Sequence, residues 1–389
     1  MQLLRDPPPS LLHSSFALRL AIFYAALFAA LGVQVPFLPL WFAAKGLDAS
    51  TIGMVLSVPM IVRLLAIPLA TRIADRQDAL RAVIAIASAL AMLGYGALGL
   101  AQGALAVTIA FALASVFYTP LMPLADAYAL RGLGALGRAY GPVRLWGSAA
   151  FIVGSFGAGL VLDVVPVRDL IWLVGAALVI TVAAACTLSP LASREVSPAK
   201  PSQSARNLLR DPALLAAMAA ASLIQASHAV YYGFSALDWA AGLNGSAIGA
   251  LWALGVVAEI VLFAISGRLP AAPTTLILFG AGGAVVRWGA MAFDPPAALL
   301  APLQCLHGLS FGATHLGALG FIARTAPAEA GATAQGYLAV ALGLAMAAAM
   351  GVSGVLYARW GSFAYAAMAL VAAAGGLFAL AARRLTRGT

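Results

Sequence analysis

The sequence predicts an all-α integral membrane protein: twelve transmembrane helices in two six-helix parallel repeats, both termini cytoplasmic. Three observations predict it. Hydrophobic residues make up 63% of the chain and charged residues 9%, against roughly 45–50% and 25% in soluble domains. Apolar runs recur along all 389 residues, each near the roughly 20 residues a helix needs to cross a hydrocarbon core. Finally, sliding the chain along itself by 196 residues lays Ser50, Ile52, Gly53 and Arg72 over Ser246, Ile248, Gly249 and Arg268.

The first run, 16–43, carries Gln34, Pro36 and Pro39 where a signal peptide would carry a small-residue cleavage site, so it is expected to stay as the first span. Runs at 51–71, 80–101, 104–130, 140–162 and 169–190 complete the first repeat. Prolines at 36 and 39, 59 and 68, and 120 and 123 lie inside these runs and predict kinked helices, tolerated where the freed backbone groups face protein or a wet cavity. The stretch 189–211, with its prolines and serines, reads as a flexible cytoplasmic linker between an N-terminal bundle at 1–188 and a C-terminal bundle at 212–389. Six further runs follow at 212–238, 246–267, 273–293, 297–323, 332–357 and 360–382. The fifth run of each repeat begins alike, with Tyr140-Gly141 over Gln335-Gly336, and parallel repeats of six spans are a known transporter plan.

The net charge of +9 follows the loops. Of the basic residues, Lys45, Arg168 and Arg359 fall on one side and Arg63, Arg144 and Arg287 fall within helices. The remainder, among them Arg5, Arg194, Lys200, Arg206 and Arg387, share a side with both termini. That bias predicts cytoplasmic termini rather than nucleic-acid binding. Cys186 and Cys305 both lie in apolar runs, which leaves no disulfide framework and no CxxC metal motif. Gly132-Leu133-Gly134-Ala135-Leu136-Gly137 satisfies GxGxxG, yet no strand precedes it, and it reads as a tight turn instead of a dinucleotide site. Gly308 and Gly312 form a GxxxG pair suited to close helix packing. The chain has no room for a separate soluble catalytic domain, and neither enzyme activity nor a cofactor is expected.

Polar residues at membrane depth mark the candidate site. In the register of the repeat Arg63 falls on Glu259, each about twelve residues into its run. A charge at that depth costs about 2.5–3.5 kcal/mol on insertion scales. The two are expected to face each other across the interface between bundles, Glu259 as the proton carrier and Arg63 as a fork for an anionic solute. Gln304, His307 and His315 are spaced to share a broad face of the tenth span. Asp126 and Arg144 fall at one depth, as a structural ion pair or as a gate, and Arg287 is expected outside the cavity lining with a structural role. Gln34, Tyr118, Tyr232 and Trp252 could line a solute site or serve as packing.

The strings YGPVRLWGS, SHAVYYGFSALDW, LWALGVVAEI, VVRWG and LQCLHGLSFGATH resemble the 3-phenylpropionate transporter family. It belongs to the lactose-permease-like and nucleoside-symporter-like branch of the major facilitator superfamily, and the similarity extends over nearly the whole chain. The resemblance implies proton-coupled import across the bacterial inner membrane, with an aromatic carboxylate as solute. Arg63, Asp126, Arg144, Glu259, Arg287, His307 and His315 match charged or histidine positions of that pattern. Proton coupling is thereby expected of Glu259, His307 and Asp126, and solute binding of Arg63, Gln34, Tyr118, Gln304, Tyr232 and Trp252. Gating or structural charge falls to Arg144, Arg287, His315, Asp75 and Arg76. The superfamily's glycine-led loop after the second span is reduced here to Thr71-Arg72-Ile73-Ala74-Asp75-Arg76. A proton antiporter that exports solutes and a non-transporting membrane sensor are the competing readings. The expected partners are a small solute, protons and the bilayer, with no nucleic acid, and the expected state is a monomer.

Overall fold

The computed structural model describes residues 9–191, 208–268, 271–327 and 330–386, and among them every regular element is helical. The first set comprises α1 (Pro9–Ala44), α2 (Ala49–Arg76), α3 (Leu80–Leu100), α4 (Gly103–Tyr118), α5 (Leu121–Ala135), α6 (Tyr140–Leu162) and α7 (Leu170–Thr187). The second comprises α8 (Pro212–Ala226), α9 (Ala229–Trp239), α10 (Gly245–Ser266), α11 (Pro273–Met291) and α12 (Ala297–Cys305). A π-helical turn at Gly308–Ala313 leads on to α13 (Thr314–Thr325), α14 (Gly331–Trp360) and α15 (Ala364–Leu385). Among the described residues, eleven stretches are long and apolar enough to cross a membrane. The last of them, Gly331–Leu385, is 55 residues long. Gly361, with φ of +56°, divides it between α14 and α15, a backbone conformation that disfavours any residue with a Cβ.

Local chemistry sets the helix starts. The backbone N–H of Thr51 donates to Asp48 at 2.8 Å at the head of α2, and that of Ala247 donates to Asn244 at 3.1 Å at the head of α10. Each cap satisfies a donor that the first turn leaves orphaned. Both cap residues and both donors stand 196 positions apart, so the repeat seen in the sequence is also a repeat of cap geometry. Asp211 caps α8 in the same manner, accepting from Ala213 at 2.8 Å and Leu214 at 3.2 Å, with Pro212 at the first helical position.

Breaks inside the apolar runs differ from the expected kinks. Pro36, Pro39, Pro59 and Pro68 lie within continuous helices, whereas Pro120 stands at the break between α4 and α5. The run 212–238 breaks at Ser227-His228 without a proline, and the run 297–323 breaks around Leu306. The GxGxxG segment ends α5 and turns at Gly137, φ +63°, in agreement with the turn reading. Residues 192–207 of the linker, and with them Arg194, Lys200 and Arg206, lie outside the described residues, as do Arg5 and Arg387.

The two sets meet through two equivalent seams at the end where α2 and α10 begin. In one, a Cβ on Gly53 of α2 would sit 2.6 Å from Gly354 Cα and 2.9 Å from Met350 O of α14. In the other, a Cβ on Gly249 of α10 would sit 2.4 Å from Ser155 O of α6. Small residues let membrane helices approach this closely, where packing replaces the hydrophobic effect as the source of association. α1 runs alongside α6, and α15 packs on α8 and α11.

Candidate functional site

Two polar clusters lie at depth, one in each set of helices. In the first, Asp126 of α5 accepts from the Tyr24 hydroxyl at 2.6 Å and from the Tyr140 hydroxyl at 2.8 Å. The expected Asp126–Arg144 ion pair is absent among the described residues. Two phenols occupy the same carboxylate oxygen, and the Arg144 guanidinium lies over Phe28 at 4.0 Å and Tyr24 at 5.5 Å. Aromatic faces are favourable ground for a desolvated guanidinium. Gln34, buried on α1, accepts from the Tyr95 hydroxyl at 2.6 Å, and Tyr118 packs edge-on against Tyr95 with ring centroids 5.6 Å apart. Sequence reasoning singled out Gln34 and Tyr118 as polar residues at depth and missed Tyr24, Tyr95 and Tyr140 as hydrogen-bond donors.

The second cluster is one connected network. Arg287 of α11 is 0% exposed. Its Nη1 donates to His307 Nδ1 at 3.0 Å and to Ser310 Oγ at 3.4 Å, its Nη2 donates to Gln304 Oε1, and its plane lies over Tyr231 at 4.3 Å and Trp288 at 4.5 Å. The arginine expected outside the lining is therefore the hub of the cluster, because α12 and the π-helical turn pack against its face of α11. On the other side of His307, Nε2 lies 3.8 Å from Glu259 Oε2 of α10. His228 closes the network, with Nδ1 facing the carbonyls of Ile224 and Gln225 at 3.2 and 3.1 Å and Nε2 meeting Ser310 Oγ at 3.1 Å. His228 and Ser310 sit at a proline-free helix break and on a π-helical turn, features with no pattern in the sequence.

Donor and acceptor chemistry fixes the protons of this network. A guanidinium only donates, so His307 Nδ1 must accept, and the single ring proton of His307 rests on Nε2, toward Glu259. By the same logic His228 donates from Nδ1 to the carbonyls, Ser310 donates to His228 Nε2, and Ser310 Oγ accepts from Arg287. A second proton on His307 would set an N–H against an N–H of Arg287. The Glu259 side chain, 3.8 Å beyond His307 Nε2, is about a fifth exposed.

The expected pairing of Arg63 with Glu259 is not made. Arg63 is half-buried on α2 with its Nη1 4.0 Å from Met60 Sδ, and the cation of the first set whose field reaches Glu259 is Arg144. Equal rungs of a repeat need not converge, because each helix is rotated by its own packing partner, α14 for α2 and α6 for α10. Gln304 and His307 come together on Arg287, while His315 is exposed and stacks on Phe311 with centroids 6.2 Å apart. The π-helical turn between them adds a residue to the winding and takes His315 off the shared face. Trp252 stacks on Tyr231 at 4.4 Å and on Tyr232 at 5.9 Å, and Tyr232 on His228 at 5.6 Å. Buried Trp252 Nε1 and Gln304 Nε2 have no acceptor among the described residues, so this aromatic wall carries two spare donors. Asp75 and Arg76 are exposed, and the ion pair at their turn joins Asp78 to Arg131 at 2.5 Å.

The MFS_1-like family matches residues 17–367. The chain is 33% identical over 367 residues, 91% of this chain and 94% of the relative, to a protein of Escherichia coli K12 named "Probable 3-phenylpropionic acid transporter". It is 28% identical over 346 residues, 87% of each chain, to the maltose permease of Geobacillus stearothermophilus. Among solved structures, the nucleoside transporter NupG superposes with a TM-score of 0.82 at 17% identity, covering 95% of this chain and 99% of that one. A bacterial homologue of the human lysosomal transporter Spinster, inward-facing and unoccupied, superposes with 0.75 at 13% identity, covering 98% of each. At these identities the structural likeness is one of fold.

Proposed function

The chain belongs to the MFS_1-like family as a multi-pass inner-membrane transporter of small solutes, and on that premise we propose that it imports an aromatic carboxylate together with protons. In this reading twelve spans form two bundles, 1–188 and 212–389, joined by the 189–211 linker. Both termini are cytoplasmic, and the monomer alternates access about a central crevice. The relative named for 3-phenylpropionic acid supplies the solute class, and the Arg287–His307–Glu259 array is the observation that carries the proton.

The array works as follows. Arg287 holds His307 as the Nε2–H tautomer, that hydrogen faces Glu259 across 3.8 Å, and Glu259 acts as the proton carrier. Arg144, across the interface, attracts the Glu259 carboxylate while the site is empty. When Glu259 takes a proton, Arg144 is released to join Arg63 in binding the solute carboxylate, and the ring lies against Tyr232 and Trp252. Solute and proton enter together because each removes the charge that opposes the other, which lowers the cost of occluding the site. Gln34 and Tyr118 contribute polar contacts from α1 and α4, and Asp126, held by two phenols, sets the aromatic floor under Arg144. Rocking of the bundles then carries the load inward.

Uptake of labelled 3-phenylpropionate by proteoliposomes tests this reading. Glu259→Gln should abolish accumulation driven by a pH gradient while preserving solute exchange at equal pH on both sides. Retained uphill uptake in that variant removes Glu259 from coupling, and gradient-driven efflux in the wild type favours the exporter.

A further inference from the structure

The two seams that close one end of the molecule occupy equivalent positions of the repeat, but among the described residues only one is tied by polar groups. Gly159 of α6 and Gly354 of α14 are counterparts under the repeat, and so are Ser155 and Met350. A Cβ on Gly159 would lie 2.2 Å from Gly245 O, and one on Gly354 2.6 Å from Ala49 O, so the two crossings share one geometry. Side chains break the symmetry. In the α6/α10 seam the Ser155 hydroxyl donates to Gly249 O at 2.9 Å. Its counterpart Met350 cannot donate, and nearby Ser353 turns its hydroxyl back to Met350 O of its own helix at 2.7 Å.

A second tie lies at the mouth. Asp163, which ends α6, places both carboxylate oxygens 3.3 Å from the backbone N–H of Ser246, in the first turn of α10. Bonds from this turn hold the Asp163 carboxyl below the usual carboxylate range, so it stays charged against the positive end of the α10 dipole. The counterpart position in α14 is Ala358.

We propose that the seams open in order: α2 and α14 part first, α6 and α10 act as the tethered side, and the solute enters between α2 and α14. The proposal rests on the transport reading above and adds a direction to it. Two apolar surfaces held by packing alone separate without leaving a polar group unpaired, whereas parting α6 from α10 strips partners from Ser155, Gly249 O and Asp163.

Double electron–electron resonance on the full chain in nanodiscs tests the order, with both native cysteines replaced. Spin labels at Met54 and Val355 report the first seam, and labels at the repeat-equivalent positions Ala250 and Leu160 report the second; all four side chains are exposed. With and without 3-phenylpropionate, the Met54/Val355 distribution should gain a long-distance population that Ala250/Leu160 lacks or gains to a smaller extent. The combined Ser155→Ala and Asp163→Asn substitutions should bring the second distribution up to the first. Equal excursions in the unsubstituted seams, a larger excursion at α6/α10, or no response to the double substitution overturns the proposal. Static distances at both seams overturn it as well, and the uptake assay then decides separately whether transport occurs.

Discussion

The polar cluster of the first set of helices and that of the second handle buried charge in opposite ways. In the first, the charges are held apart: two phenols take Asp126, aromatic faces take Arg144, and Arg63 rests beside Met60. In the second they are wired together, from Glu259 through His307 to Arg287 and on through Ser310 to His228. The first arrangement leaves cations whose neighbours are aromatic faces and a thioether. The second joins His307, Arg287, Ser310 and His228 by hydrogen bonds, with Glu259 3.8 Å beyond His307. In the proposed reading the first half binds the solute and the second carries the proton.

The largest effect should come from cutting the wired cluster at its hub. Arg287→Ala strands the acceptors on His307, Gln304 and Ser310, each costing about 1–3 kcal/mol when buried without a donor. A loss of roughly 3–5 kcal/mol should appear as a large fall in thermal midpoint, and Arg287→Lys should restore part of it. An unchanged midpoint would show that the hub is not under load. The separated cluster should give way less: Tyr140→Phe removes one charge-assisted bond and leaves Tyr24, for a loss of about 1.5–3 kcal/mol by the same measurement. Should Tyr140→Phe equal Arg287→Ala in cost, the contrast between clusters fails.

Arg63→Ala should sharpen the comparison further. With no carboxylate beside it, its removal should change stability by under about 1 kcal/mol while abolishing the thermal shift produced by 3-phenylpropionate. The smallest effect concerns pH. Asp163 has a lowered folded-state pKa, so its contribution is present above the ordinary carboxylate value and is lost only as pH falls through the lowered one. The Ala250/Leu160 distance should therefore hold from about pH 8 to 5, whereas proton-driven uptake should change over the same range.

Hydropathy and the 196-residue repeat were legible because they depend on local composition and spacing. Arg63 and Glu259 were legible as costly residues at depth, though not as partners, since helix rotation is set by neighbours distant in sequence. Arg287 read as peripheral because its contacts come through α12 and the π-helical turn, whose extra residue leaves no mark in an Ala/Gly-rich string. The same turn displaced His315 from the face that Gln304 and His307 share. Asp126 was recognised as a buried acid, but Tyr24 lies 102 positions away, and nothing local announces a phenol as its donor.

Proton release and uptake on solute binding bear most directly on the division of labour between the two halves. In weakly buffered solution at neutral pH, addition of 3-phenylpropionate to the purified protein should draw protons from the medium, and Glu259→Gln should bind the solute without drawing any. Equal proton uptake by the wild type and Glu259→Gln would contradict the account.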